Sequence, residues 1–162
     1  MNSLEKVYVA GGCFWGVEHY MRQLLGVVST SVGYMGGQLS NPTYQDVCSK
    51  TSGHAEVVEV VYDASVVQVE DVIKLFFEIH DPGQLNRQGP DRGDQYRSEI
   101  FYTTEAQEKT ARALIDVLKD AGHEVVTLVS QAGDYWKAEG YHQSYYEKNG
   151  QERYCHRRTK KF

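Results

Sequence analysis

The octapeptide AEVVEVVY, residues 55–62, constrains the fold more than any other stretch. Read as a strand, it puts β-branched or bulky apolar residues on both faces, with valines at 57, 58, 60 and 61. A strand apolar on both sides has to lie inside a sheet with cover above and below it. The rest of the chain must therefore supply neighbouring strands and packing layers.

It does so in a regular order. Lys6–Ala10 alternates around Val7 and Val9 and reads as a short strand. Gly11-Gly12 then turns the chain into a helix over about 13–25, with Phe14, Val17, Met21 and Leu24/Leu25 on one stripe and Gly26 as its stop. Val27–Tyr34 is a second strand, and 33–44 is a glycine-rich loop. After the central strand, a helix beginning between Ser65 and Gln68 carries Val69, Val72, Ile73 and Phe76, and His80-Asp81-Pro82-Gly83 ends it. Residues 81–97 form a long polar loop, of a length that is often functional.

Ser98–Tyr102 is a fourth strand. Thr104 and Gln107 form a capping box for a helix to Ala121 that buries Ala106, Ala113, Leu114, Val117 and Leu118. Val125–Val129 is a last strand, and a helical piece is expected over 138–148. The order β-α-β-β-α-β predicts an α+β protein with a ferredoxin-like split βαβ core (an α/β plait), an added helix and strand, and an irregular C-terminal tail. Such folds host many activities, so function has to come from a site.

The 162 residues suit one domain, 1–162, with 149–162 as a mobile tail. The net charge of −5 argues against a nucleic-acid partner. Five of the 17 basic residues, Arg153, Arg157, Arg158, Lys160 and Lys161, fall in the last ten positions, leaving 12 against 22 acidic residues elsewhere. This basic end reads as solvated and frayed, or as a dock for an acidic face. No apolar run spans a membrane and Met1–Lys6 has no signal-peptide core, so a cytoplasmic protein with no membrane partner is expected. Three cysteines, at 13, 48 and 155, form neither a disulfide framework nor a metal clamp, and the six histidines are scattered. Free thiols and no metal are expected.

Cys13 stands where a strand passes through two glycines into a helix. The unpaired N–H groups and dipole there favour a thiolate over the ~3% present at an unperturbed pKa of about 8.5. A buried, inert cysteine is the competing reading. Trp15 lies about 120° from the apolar stripe, so it packs under a loop or lines a pocket. Phe14 is core or pocket wall, and Glu18 at the stripe's edge is a supporting carboxylate or a snorkelling one. Glu56 shares a strand face with His54, Val58 and Val60. Among valines such a carboxyl tends to hold its proton and could serve as a general acid, although an exposed strand-end Glu fits equally well.

The segments GCFWG (12–16), NPTYQDVCSKTSGHAEVVEVVYD (41–63) and HDPGQLNRQGPDRGDQYRS (80–98) together resemble the signature blocks of the peptide methionine sulfoxide reductase A family. The resemblance runs from about Val7 to Cys155. It implies reduction of methionine S-sulfoxide, free or in proteins, each sulfoxide epimer having its own class of reductase. It implies Cys13 as nucleophile, Phe14 and Trp15 as walls for the substrate methyl group, and Glu56 as the acid that protonates the sulfoxide oxygen. Tyr44 and Tyr96 would hydrogen-bond that oxygen, with Asp91 in the same polar site. The resemblance also implies a sulfenic acid on Cys13, a disulfide, and recycling by thioredoxin with no bound cofactor. A monomer is expected.

The sequence departs from that pattern at its end. Many members carry two cysteines in a glycine-rich tail, whereas here Cys155 stands alone. Cys155 is accordingly assigned as resolving thiol and Cys48 as structural, the alternative being direct external reduction of the sulfenic acid. Rival readings are another thiol catalyst, which for acyl transfer would need His19 or His54 as base, and a ligand-binding module with an inert Cys13.

Overall fold

A computed structural model describes residues 3–12, 14–37, 42, 53–88, 91–138 and 161, with backbone alone at 87, 91, 92 and 94. Among these residues the protein is a mixed α+β structure with a six-stranded sheet and three helices. In chain order the elements are β1 (Leu4–Gly11), α1 (Phe14–Met21), β2 (Val27–Met35), β3 (Ala55–Asp63), α2 (Val69–Glu78), β4 (Arg87–Gln88) and β5 (Asp91–Arg92). A 3₁₀ turn (Asp94–Tyr96), β6 (Ser98–Tyr102), α3 (Glu105–Asp120), β7 (Leu128–Gln131) and β8 (Trp136–Lys137) follow.

The sheet order is β7-β6-β1-β3-β2-β8. Strand β3 pairs antiparallel with both β1 and β2, as its valine content requires of an inner strand. The strands β1 and β2, joined through α1, are thus parallel to each other with β3 inserted between them. Among the described strands, β6 and β7 are the neighbours that pair in parallel.

All three helices cover one face. Val7, Val9, Val32, Val58, Val60 and Ile100 from the sheet meet Phe14, Val17, Ile73, Phe76, Leu114 and Leu118 from the helices in one core. Among the described residues, the opposite face is covered at one end. There Tyr8, Ala10, Met35, Ala55, Val57 and Phe101 are buried, with Tyr135 and Ala132 packed on them. The expected cover on both faces of β3 thus holds over part of its length: Glu59, Val61 and Asp63 on the second face are half-buried. Gly33 is where β8 crosses, since a Cβ there would come within 2.5 Å of Trp136 O and the Tyr135 ring.

Several expectations need correction. Helix α1 ends at Met21, and Leu25, placed on its stripe, is exposed. The buried face of α3 is Gln107, Ala111, Leu114, Ile115 and Leu118, so Ala106, Ala113 and Val117 point to solvent. Gln107 turns the helix this way. Its amide Nε2 donates to Lys6 O and Tyr62 Oη, and its Oε1 accepts Thr103 N–H, so a polar residue takes a core position. Half of the predicted capping box forms, Thr104 Oγ1 accepting Gln107 N–H. The last strand lies three residues later than expected because Val126 N–H is tied to Pro82 O and β7 takes its register from Glu99 opposite Leu128. The 81–97 loop contains the β4–β5 hairpin and the 3₁₀ turn. Strand β8 carries no signal in the sequence, and the helical piece expected over 138–148 lies outside the described residues beyond Ala138. No helix among the described residues is long and apolar enough to cross a membrane.

Candidate active site

The turn between β1 and α1 is built from two glycines with different duties. Gly12 has φ +94°, a left-handed conformation that side chains disfavour. Gly11 lies against the end of α2: a Cβ there would sit 3.0 Å from Phe76 Cε1 and 3.1 Å from His80 Cγ. The first glycine is therefore demanded by packing and the second by backbone conformation. The described chain resumes at Phe14, the first residue of α1.

Glu56 comes up beneath that helix start from the end of β3. Its side chain is buried, and Oε1 accepts the backbone N–H of Phe14 at 3.2 Å. Phe14 opens α1, so this is one of the N–H groups that a helix cannot satisfy internally. A carboxyl set among Val58, Val60 and Phe14 on the helix-covered face, rather than an exposed strand end, is what the structure contains.

Aromatic rings line this place. The Phe14 ring is buried 6.4 Å from that of Trp15 and 5.8 Å from that of Tyr34. Trp15 is half-buried against the core margin, consistent with its angle off the main stripe. Tyr34, fully buried, is a residue that sequence reasoning missed. It stands opposite Glu56 in the β2–β3 register, so both side chains share a face. The signal is available only once that pairing is known. The 3₁₀ turn ending in half-buried Tyr96 packs against β3. Asp91 lies in β5, which packs against the same turn. Cys13, Tyr44, Cys48 and Cys155 lie outside the described residues, as does the 149–162 tail apart from Lys161.

The nearby histidines are engaged in other ways. His54 is buried, and its Nδ1 accepts Gly37 N–H at 3.0 Å, so that lone pair is occupied. His19 sits in the last turn of α1, its Nε2 2.7 Å from Gln23 Nε2. Neither arrangement supplies a base at the start of α1, which weighs against acyl transfer. Glu18 is buried, with Oε2 accepting the Thr30 hydroxyl at 2.9 Å, and so braces α1 against β2. A separate cavity of about 360 Å³ opens on the other sheet face beside Gly36, His54, Glu99, Phe101 and Trp136.

The model of the family "Peptide methionine sulfoxide reductase" matches residues 5–162. The peptide methionine sulfoxide reductase MsrA of Methanothermobacter thermautotrophicus is 51% identical over 156 residues, covering 94% of this chain and 92% of that one. Among solved structures, the reduced form of Mxr1 from Saccharomyces cerevisiae superposes with a TM-score of 0.89 at 35% identity, covering 96% of this chain and 92% of that one. Mxr1 has also been solved in complex with Trx2; that structure, at 23% identity and a TM-score of 0.64, covers 96% of this chain and 90% of that one and bears on the fold alone.

Proposed function

The chain belongs to the peptide methionine sulfoxide reductase family and is an enzyme of that kind, and on that premise we propose that it reduces methionine S-sulfoxide, free or in proteins, through a cysteine sulfenic acid and an intramolecular disulfide. The observation that carries the reading is the buried Glu56 carboxyl at 3.2 Å from Phe14 N, one residue beyond Cys13. A sulfoxide sulfur is a poor electrophile until its oxygen is protonated. Burial penalises the charged form of a carboxyl, so a proton on Glu56 is best held where water is excluded.

In this mechanism the Cys13 thiolate attacks the sulfur while Glu56 gives its proton to the oxygen. Phe14 and Trp15 hold the methyl group, and Tyr44, Tyr96 and Asp91 orient the oxygen by hydrogen bonding. The hydroxyl then passes from the substrate sulfur to Cys13 as the bond between the two sulfurs breaks, so methionine leaves and Cys13 becomes a sulfenic acid. The Cys155 thiol condenses with it, releasing water and forming the disulfide. Two electrons from a dithiol then restore both thiols. Thioredoxin is the reductant we favour, supported by the solved complex of the related Mxr1 with Trx2. No bound cofactor or metal enters these steps. We read the protein as a cytoplasmic monomer comprising one catalytic domain, 1–162, with 149–162 as its tail. We read the core, ordered β6-β1-β3-β2, as a ferredoxin-like split βαβ with β7 and β8 added at the two edges.

The test is turnover of each sulfoxide epimer of methionine with dithiothreitol. The S epimer should be reduced and the R epimer left, and Cys13→Ser should abolish reduction while keeping the native circular dichroism spectrum. Retained turnover in Cys13→Ser would remove the mechanism.

A further inference from the structure

Phe14 is held in two ways by neighbours on one strand pair. Its backbone N–H donates to Glu56 Oε1 at 3.2 Å. Its ring lies 5.8 Å from that of Tyr34 with 38° between the planes, a tilted contact within the usual range of aromatic pairs. Tyr34 and Glu56 stand opposite each other in the β2–β3 register, so their side chains are neighbours on one face. Tyr34 is fully buried and shares the main core with Phe14 and Val17. One cross-strand pair therefore supplies both the carboxyl on the Phe14 main chain and the ring against the Phe14 side chain.

That pair sits in a part of the sheet that is fixed on both sides. The β2–β3 register runs unbroken from Ser29 to Met35, and its shift lies between Val27 and Ser29, at the far end of β2. On its other side Tyr34 pairs with Trp136 of β8, and Ala138 N–H is bonded to Val32 O just beyond. Tyr34 thus has its backbone held by two neighbouring strands and its ring enclosed by the core. It gives the Phe14 ring a fixed surface to rest on. The ring of Trp15, 6.4 Å from that of Phe14, is only half-buried and lies at the core margin. Of these two aromatic neighbours of Phe14, Tyr34 is the rigid one.

We propose that Tyr34 is a specificity-determining positioning residue: by backing the Phe14 ring it keeps the alkyl slot of the substrate narrow, so that S-methyl sulfoxides are selected over sulfoxides with a larger S-alkyl group. This rests on the reading of Phe14 as a wall for the methyl group. A ring anchored only through its backbone yields when a larger group presses on it. With Tyr34 packed behind it, the Phe14 ring has no space to retreat into, because a close-packed core contains few voids. An added methylene in a hydrophobic pocket then costs about 10–200-fold in kcat/KM. The role belongs to the Tyr34 ring and not to its hydroxyl.

The experiment measures kcat/KM with dithiothreitol for methionine S-sulfoxide and for its S-ethyl homologue, ethionine S-sulfoxide. It compares wild-type, Tyr34→Phe, Tyr34→Met, Tyr34→Leu and Phe14→Leu. The methyl-to-ethyl ratio taken on one preparation does not depend on how much of it is folded, so a loss of stability alone leaves the ratio unmoved. Wild-type should favour the methyl substrate. The ratio should fall by roughly tenfold in Tyr34→Leu and in Phe14→Leu. It should fall less in Tyr34→Met, whose longer chain refills part of the space and which carries the test if the leucine variant does not fold. Tyr34→Phe should keep the wild-type ratio. A ratio lowered by Phe14→Leu but unmoved by Tyr34→Leu and Tyr34→Met would overturn the backing role and leave Phe14 as the wall. A ratio unmoved by Phe14→Leu would overturn the reading of Phe14 and the proposal with it. A fall in Tyr34→Phe as large as in Tyr34→Leu would also overturn the proposal, since the hydroxyl and not the ring would then set the selectivity.

Discussion

Two helix ends meet at Gly11 and Gly12, and an acceptor meets one while a donor meets the other. The N-terminus of α1 receives the Glu56 carboxyl on Phe14 N–H, and the C-terminus of α2 receives the Lys161 ammonium on the carbonyls of Phe77 and His80. Each satisfies backbone groups that a helix end leaves unpaired. They differ in how each group arrives. Glu56 is held by β3, whose register is fixed on both sides by β1 and β2, so its oxygen cannot wander. Lys161 reaches α2 from 81 residues beyond His80 in sequence and is held by its own three hydrogen bonds. A rigid partner suits a group that must meet a small substrate atom in one geometry.

Glu56→Gln is the sharpest way to break that comparison, and it carries the largest expected effect. The amide keeps an oxygen for Phe14 N–H but cannot serve as a carboxylic acid. We expect kcat/KM to fall by about 10²-fold or more, the scale of acid catalysis. The thermal midpoint should move little. Near-normal activity with a large loss of stability would make Glu56 a cap for α1 rather than an acid.

Gly11→Ala strikes the wall between the two ends. A methyl there meets Phe76 Cε1 at 3.0 Å and His80 Cγ at 3.1 Å, and neither ring is the free end of a flexible chain. Overpacking of this kind costs about 1–3 kcal/mol. The displaced His80 should loosen the Lys161 contact and disturb the turn into α1, so methionine release should slow along with the loss of stability. Unchanged stability by urea titration would show that the turn has slack.

How much of this is legible in the chain depends on how local the cause is. The valines of 55–62 announce β3, and Gly11-Gly12-Cys13 announces the turn, because both signals lie within a few residues. Glu56 can be placed on the face of Val58 and Val60, but its burial depends on α1 closing over it, which no local pattern records. Tyr34 becomes visible only through the pairing that sets it opposite Glu56. The α3 face is misjudged because Gln107 looks polar in sequence, while Tyr62 and Lys6, 45 and 101 residues away, give it a buried set of partners. Within the basic end of the chain, Lys161 is bonded at both its main chain and its side chain, which composition alone does not record. For Glu56, Gln107 and Lys161 a polar group is satisfied from far along the sequence, and hydropathy scores a polar residue as exposed whether or not a partner awaits it.

The N-terminus of α3 supplies the reference point and the smallest effect. There the cap is local: Thr104 Oγ1 accepts Gln107 N–H at 3.2 Å, three residues on. Such caps contribute about 1 kcal/mol. Thr104→Ala should fall at or below that, since Gln107 keeps its bonds to Thr103 N, Lys6 O and Tyr62 Oη when the hydroxyl is gone. The urea midpoint should shift down with the slope unchanged, because the same surface is exposed on unfolding. Single-turnover methionine release and disulfide formation should both match wild-type, since the Thr104 cap lies on a helix end away from Glu56, Gly11 and Lys161. A tenfold loss in either step would mean that capping any helix of this layer is enough to disturb the chemistry. Glu56 and Lys161 would then differ from Thr104 in degree rather than in kind.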